Sequence, residues 1–142
     1  MKFPFHKVAA SENETAELAK EFSLMLDLRD VVLLNGDLGT GKTFFVKHVG
    51  RKLGIENVSS PSFAIINEYH NKKKIVHFDF YRIKKVEELY DIGFEDYLNA
   101  GDSIIFIEWA NLFPEILPKR NYRINFNFVN NSSREITISK NE

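Results

Sequence analysis

The sequence predicts an α/β fold in which a mixed, mainly parallel β-sheet is flanked by helices, within one domain over residues 1–142. Two short and almost wholly apolar runs, 31–35 and 103–108, the second ending in an acid, have the pattern of strands buried on both faces of a sheet. The first run ends in a glycine-rich turn, and a helical pattern follows that turn directly. Strand, loop and helix therefore follow one another in the order typical of α/β proteins.

Three helical regions are predicted from capping and spacing. The first begins at Ser11, because Ser11 and Glu14 have the spacing of a capping box. The second follows the glycine-rich turn and ends near Gly54, while the third, 86–98, is interrupted at Gly93. The apolar residues that can share one face of the second helix are Phe45, Val46, Val49 and Leu53.

Two pairs of β-like runs predict antiparallel hairpins. The runs 63–69 and 75–80 are joined by a short polar stretch, so a hairpin is expected after the second helix. The runs 122–129 and 135–139 are separated by asparagines and serines, so a second hairpin is expected near the C-terminus.

The composition excludes several classes of protein. Nineteen basic and twenty acidic residues give a formal net charge of -1, so no overall positive charge points to a nucleic-acid partner. The absence of cysteine excludes disulfides, thiolate nucleophiles and cysteine zinc sites. The N-terminal residues lack the apolar stretch of a signal peptide, and no later run is long enough to cross a bilayer. We expect a cytosolic protein without a membrane partner.

The glycine-rich turn matches G-x-x-x-x-G-K-[ST] at every fixed position, and this motif predicts a P-loop NTPase fold that binds a nucleotide. Its glycines allow backbone amides to approach a polyphosphate closely. Lys42 can reach the β- and γ-phosphates, the hydroxyl of Thr43 can ligate Mg²⁺, and the helix N-terminus favours the same anion. The predicted phosphate-binding residues are Gly36, Asp37, Leu38, Gly39, Thr40, Gly41, Lys42 and Thr43.

Two acidic residues end predicted strands and could complete a magnesium site. Mg²⁺ prefers hard oxygen ligands, and in nucleotide sites a carboxylate usually lies close to the metal. We assign Glu108 to the metal, directly or through water, and Asp79 to the attacking water or to support of the metal ligands. Together with Lys42, they are the predicted catalytic residues. His77 shares a strand face with Asp79, and we interpret it as an ordinary strand histidine.

The motif alone leaves three classes of nucleotide-dependent protein open. An ATPase, a small-molecule or nucleoside kinase and a GTP-dependent switch all use such a loop. The chain is short and has no arginine-rich lid segment, which disfavours a kinase. Residues 71–74 read NKKK, with lysine where the guanine-binding motif N-K-x-D needs an acid, which disfavours a GTP switch. The segment 59–63 could sense the γ-phosphate or could be a plain turn, and Arg134 could contact the nucleotide or be merely solvated.

The order and spacing of these motifs resemble the TsaE (YjeE) family, the bacterial P-loop ATPases of tRNA threonylcarbamoyladenosine synthesis. The resemblance covers nearly the whole chain. It implies a small α/β protein that hydrolyses ATP slowly, works with the partner proteins TsaB and TsaD, and reaches tRNA indirectly through their complex. The segments that carry it are the P-loop, SPSF at 60–63, HFDFYR at 77–82, EEL at 87–89 with Gly93, and IEW at 107–109.

The resemblance also implies roles for individual residues. It gives phosphate and magnesium to Lys42 and Thr43, catalysis to Asp79 and magnesium to Glu108, in agreement with the assignments above. It adds ATP contacts from three further residues and puts Trp109 beside the site. Ser62 departs from the family, whose pattern usually has threonine there, although the hydroxyl is retained. The three added ATP contacts are Ser11, Thr15 and Arg134.

Overall fold

A computed structural model describes residues 1–59 and 65–142, so that residues 60–63 of the expected γ-phosphate-sensing segment lie outside the described part of the chain. Seven strands within this part form one sheet. Their bounds are β1 Phe5–Ala9, β2 Val31–Gly36, β3 Ile66–Tyr69, β4 Lys74–Asp79, β5 Ser103–Glu108, β6 Asn121–Phe128 and β7 Arg134–Asn141.

The helices lie between these strands. None of the helices in the described ranges is long and apolar enough to span a membrane. Two short 3₁₀ turns, Ala110–Leu112 and Pro114–Ile116, follow β5. The α-helices are α1 Glu12–Ser23, α2 Lys42–Lys52, α3 Val86–Asp91 and α4 Phe94–Ala100.

The strands run in the order β1-β7-β6-β2-β5-β4-β3. The four central strands are parallel, since β2 pairs in parallel with β5 and β6, and β4 pairs in parallel with β5. The outer pairs β1/β7, β6/β7 and β3/β4 are antiparallel. The predicted α/β fold with a mixed sheet and two hairpins is therefore confirmed, and the parallel strands occupy its centre.

Strands β2, β4 and β5 are buried on both faces, as expected for β2 and β5. Val32 and Leu34 belong to one apolar cluster, whereas Val31 and Leu33 belong to the cluster on the opposite face. The helical members of the first cluster come from α1 and α2, and those of the second come from α3 and α4. Because side chains alternate along a strand, position along the sequence decides which pair of helices a strand residue meets.

One edge of the sheet gathers most of the predicted site residues. β2 ends at Gly36, and in the parallel ladder Asp79 at the end of β4 is paired with Glu108 at the end of β5. The antiparallel flank brings Arg134, the first residue of β7, opposite Ala9, the last residue of β1. The carboxyl ends of the parallel strands and the start of β7 thus meet at one edge.

Strand β1 was not predicted from the sequence. It pairs antiparallel with β7 at the border of the sheet. Phe5, Lys7 and Ala9 are its more buried residues, whereas His6 and Val8 are exposed. Lys7 lies on the covered face and Val8 on the open face, so β1 lacks the alternation of apolar and polar residues by which a strand is recognised.

Candidate functional site

The predicted phosphate-binding loop, residues 36–43 and called the phosphate loop below, connects β2 to α2 and requires glycine at two positions for steric reasons. Gly36 has φ +154°, and a Cβ atom there would lie 2.7 Å from the backbone oxygen of Phe126. Gly41 has φ +105° and is the N-cap residue of α2. No side chain among the described residues caps α2, so its first-turn N–H groups can hydrogen-bond an anion.

Lys42 is held against the loop and against an aromatic ring. Its Nζ donates to the backbone oxygens of Gly36 and Asp37, the latter at 2.9 Å, and lies 4.3 Å from the centroid of the Trp109 ring. The residue is only 5% exposed. Burial lowers the pKa of its ammonium group, and nearby carboxylates, Glu108 foremost, oppose that shift. The ammonium group of Lys42 is therefore held against the backbone of this loop.

Thr40 and Leu38 differ in what they do within the loop. Thr40 is buried, and its Oγ1 donates to the backbone oxygen of Asp37 at 2.7 Å, which braces the turn from inside. The Leu38 side chain is 63% exposed. Leu38 occupies one of the variable positions of this motif, where no particular side chain is required.

Thr43 and Glu108 form a pair of hard oxygen donors beside the loop. The hydroxyl of Thr43 donates to Oε2 of Glu108 at 2.8 Å and lies 3.0 Å from Oε1. Hydroxyl and carboxylate oxygens suit Mg²⁺, which is commonly bound by one or two protein ligands together with substrate phosphates. No group of three or more His, Cys, Asp or Glu residues in the described ranges could hold a metal. The hydroxyl of Thr43 and the carboxylate of Glu108 are donors of the kind that Mg²⁺ prefers.

His77 lies against the same carboxylate, and the sequence interpretation missed this contact. Its Nε2 is 2.6 Å from Oε2 of Glu108, and the two side chains are 0% and 4% exposed. The alternation along β4, which puts His77 on the face of Asp79, was the available signal. This alternation identifies the contact with Glu108 only when the pairing of β4 with β5 is also known.

Asp79 ends β4 and stays partly open to solvent. Its Oδ1 accepts a hydrogen bond from the backbone N–H of Tyr81 at 2.9 Å. Burial raises the pKa of this carboxyl above its usual value, and the neighbouring charge of Glu108 acts in the same direction. The two acids thus differ: Glu108 is hydrogen-bonded to the side chains of Thr43 and His77, whereas Asp79 is hydrogen-bonded to the backbone.

Trp109 lies between Lys42 and a second aromatic ring. The centroids of the Trp109 and Tyr81 rings are 4.9 Å apart. The backbone of Trp109 adopts φ +58°, a conformation that is uncommon for a bulky residue, and its N–H donates to the backbone oxygen of Leu34 at 3.1 Å. The tryptophan that follows Glu108 is therefore fixed over the lysine of the loop.

The three further ATP contacts expected from the resemblance have different surroundings. Arg134 touches the loop directly, since its Nη2 donates to the backbone oxygen of Gly39 at 3.3 Å. Ser11 and Thr15 are engaged at the start of α1. The Ser11 hydroxyl accepts from the N–H of Glu14 at 3.2 Å, and the Thr15 hydroxyl donates to the backbone oxygen of Ser11 at 3.4 Å. The strand end at Ala9 brings α1 to this edge, and the hydrogen bonds of Ser11 and Thr15 are internal to the helix start.

The sequence model of the family described as "Threonylcarbamoyl adenosine biosynthesis protein TsaE" matches residues 9–136. The chain belongs to the TsaE family. The tRNA threonylcarbamoyladenosine biosynthesis protein TsaE of Rickettsia typhi is 41% identical over 135 residues, which are 92% of this chain and 91% of that relative. The Bacillus subtilis protein of the same name is 38% identical over 128 residues, covering 89% and 79% of the two chains.

The likeness extends to a solved structure. The crystal structure of Bacillus subtilis YdiB matches with a TM-score of 0.81 and 30% sequence identity, covering all 100% of this chain and 88% of the other. The range matched by the TsaE model includes every site residue named above, from Ser11 to Arg134. The resemblance noticed in the sequence and the fold are therefore both confirmed.

Proposed function

We propose that this TsaE-family protein is a single ATPase domain that binds ATP with Mg²⁺ on the loop 36–43 and hydrolyses it slowly. It serves the threonylcarbamoyladenosine modification of the tRNA adenosine next to the anticodon. It acts with TsaB and TsaD, and it acts on tRNA indirectly through that complex. The observation that carries the proposal is the 2.8 Å contact of Thr43 with Glu108, beside the buried ammonium of Lys42.

Binding follows from the charges and donors around the loop. The first-turn N–H groups of α2 and the ammonium of Lys42 both favour a polyphosphate. The Thr43 hydroxyl has one proton and two lone pairs, so it can donate to Glu108 and still offer a lone pair to a cation. Magnesium, when bound, would neutralise charge on the transferring phosphoryl group. Arg134, which contacts Gly39, adds a second cation beside the loop.

We assign Asp79 and Glu108 to different tasks in ATP hydrolysis. Water attacks the γ-phosphorus, the bond to the β-phosphate oxygen breaks, and ADP and phosphate are released. Asp79 accepts the proton of the attacking water or orients that water, because its carboxylate is partly open to solvent. Its raised pKa makes it a better base than an ordinary aspartate. Glu108 is hydrogen-bonded to Thr43 and His77, and we assign it to the metal.

Co-purification with TsaB and TsaD tests this function most directly. The protein would be mixed with the two partners in ATP, in ADP and without nucleotide, and retention on tagged TsaD would be measured together with tRNA modification. We expect retention to depend on the nucleotide and modification to require the protein. Failure both to associate in ATP and to support modification would refute the partner-dependent role.

Product analysis separates the ATPase from the other two classes. An ATPase releases free phosphate, whereas a kinase yields a phosphorylated acceptor. Competition between ATP and GTP for the loop separates an ATPase from a GTP switch. Tighter binding of GTP, or transfer of the labelled γ-phosphoryl group to a small molecule, would replace the proposal with the corresponding alternative.

A further inference from the structure

A buried histidine contacts the carboxylate that faces the phosphate loop. The Nε2 atom of His77 lies 2.6 Å from Oε2 of Glu108, and neither side chain is more than 4% exposed. The same oxygen accepts from the Thr43 hydroxyl at 2.8 Å. Three side chains from β4, β5 and α2 therefore meet at one oxygen atom.

The fold brings these side chains together by register and alternation. In the β4/β5 ladder His77 is paired with Phe106, and Asp79 is paired with Glu108. His77 and Glu108 are thus diagonal neighbours on one face of the sheet. Phe106 belongs to the apolar cluster that also contains residues of α2, so this face is the one that α2 covers. The contact with Thr43 at the start of α2 follows from the same arrangement.

The hydrogen-bonding groups of the ring determine what His77 can do. In the described part of the chain, the other ring nitrogen, Nδ1, is buried without a hydrogen-bond partner. A neutral imidazole has one donor and one acceptor nitrogen. A buried N–H without a partner costs free energy, so the arrangement that agrees with the contacts has the proton on Nε2, directed at Glu108. His77 then acts on the carboxylate through a single N–H group.

We propose that His77 is a positioning residue whose Nε2–H fixes the Glu108 carboxylate against Thr43 in the orientation that a magnesium nucleotide needs. The inference rests on the proposed function, since the magnesium nucleotide is part of it. His77 itself touches neither the nucleotide nor the metal. The hydrogen bond restrains rotation of the carboxylate, and residues that orient ligands in this way typically change metal affinity about 10- to 100-fold when they are replaced.

The first test is made on the protein without nucleotide or metal. The ¹⁵N chemical shifts of the imidazole of His77 report which ring nitrogen carries the proton. We expect the Nε2–H tautomer, and we expect Glu108→Gln to shift the Nε2 resonance more than that of Nδ1. A ring protonated on Nδ1 instead would overturn the inference, because Nε2 could not then donate to Glu108.

The second test uses two amide variants that differ in reach. In His77→Gln the amide nitrogen lies as many bonds from the backbone as Nε2, whereas in His77→Asn it corresponds to Nδ1. ATP affinity would be measured for each variant in Mg²⁺ and in EDTA. We expect His77→Gln to keep the gain in affinity that Mg²⁺ gives the wild-type protein. His77→Asn should lose about 10- to 100-fold of that gain, while its affinity in EDTA stays close to wild type.

Two controls separate positioning from packing. His70→Asn makes the same substitution at an exposed histidine that follows β3, at the opposite edge of the sheet, and should change neither affinity. In a Glu108→Gln background, His77→Asn should cause no additional loss of Mg²⁺ dependence, because the group through which it acts has already been altered.

The outcomes distinguish the inference from the proposed function. Equal losses in Mg²⁺ and EDTA for both amide variants, or unchanged Mg²⁺ dependence in His77→Asn, would refute positioning while the wild-type protein still binds magnesium nucleotide. A wild-type protein that binds ATP no better in Mg²⁺ than in EDTA would refute the proposed magnesium site. In that case the tautomer measurement still decides whether His77 holds Glu108.

Discussion

Helices α1 and α2 begin at the same edge of the sheet, and they satisfy their first-turn amides in opposite ways. The start of α1 is closed by its own residues, since Ser11 accepts from the N–H of Glu14 at 3.2 Å and the Glu14 carboxylate accepts from the N–H of Ala10. The start of α2 is Gly41, and no side chain in the described ranges caps that helix. One N-terminus has a side-chain cap, while the other has none among the described residues and keeps its donors for an anion.

The difference teaches where stability and binding are expected to lie. A capped N-terminus contributes to the free energy of unfolding, typically by about 1 kcal/mol. An N-terminus that follows a glycine loop and begins with a buried lysine is expected to contribute instead to ligand affinity. Substitutions at α1 should therefore change stability first, and substitutions around α2 should change nucleotide binding first.

The largest effect is expected from Lys42→Ala. Removal of a charge-assisted hydrogen bond to phosphate should weaken ATP binding on the order of 100-fold. The unfolding temperature should stay close to that of the wild type. Burial lowers the pKa of the ammonium, which means that burying this charge costs free energy, and the substitution removes that cost. Calorimetric titration and thermal unfolding measure the two quantities. Lys52→Ala, an exposed position at the end of α2, is the matched control. Normal ATP turnover in Lys42→Ala would contradict the role given to this loop.

The next effect compares the two acids as neutral isosteres. Glu108→Gln should weaken binding of the magnesium nucleotide by about tenfold or more, because the metal loses a charged oxygen ligand. Asp79→Asn should spare binding and lower turnover by about 100-fold, the usual contribution of a general base. Binding in Mg²⁺ and single-turnover phosphate release separate these effects. Complete loss of binding in both variants would show that the acids do not divide the work as proposed.

A smaller effect, on stability, is expected from Ser11→Ala. Loss of the cap should lower the free energy of unfolding by about 1 kcal/mol and the unfolding temperature by roughly 4 °C. Ser11→Thr keeps an oxygen acceptor and should stay close to wild type. Thermal unfolding without nucleotide measures the cap, and ATP affinity measures any contact of Ser11 with the ligand. An unchanged unfolding temperature would remove the contrast between the two helices.

The smallest effect is the pH dependence of stability at Asp79. Burial raises its pKa above the usual 3.8, so the folded state binds this proton more tightly than the unfolded state does. The stability that this provides is fully present below pH 3.8 and is lost as pH rises through the folded-state pKa. At neutral pH, Asp79→Asn should therefore stabilise the protein, by less than about 1 kcal/mol because the side chain is partly exposed. Denaturant unfolding across the pH range would test whether this gain disappears in acid.

The sequence was sufficient where local pattern decides the structure. The bounds of β5 were predicted residue for residue from an apolar run that ends in an acid, and the interruption at Gly93 falls between α3 and α4. Strand β1 could not be found in this way, because Lys7 lies on its covered face and Val8 on its open face. It is held by pairing with β7, which lies at the far end of the sequence.

The site was predictable in its members more than in their contacts. The loop motif and the acids at two strand ends can be read locally, and the structure brings them to one edge of the sheet. The contact of His77 with Glu108 depends on the register between β4 and β5, which no local pattern specifies. The ring of Trp109 over Lys42 likewise depends on a left-handed backbone turn that the residue type does not favour.

Trp109 is the only tryptophan in the sequence. The centroid of its indole ring lies 4.3 Å from the Lys42 ammonium and 4.9 Å from that of the Tyr81 ring. One side chain therefore contacts both the phosphate loop and the segment after Asp79. Indole fluorescence responds to a nearby charge, and all of the indole fluorescence of this chain comes from Trp109. The protein thus carries a built-in optical probe of its own lysine, and engagement of the loop can be followed in real time without an attached label.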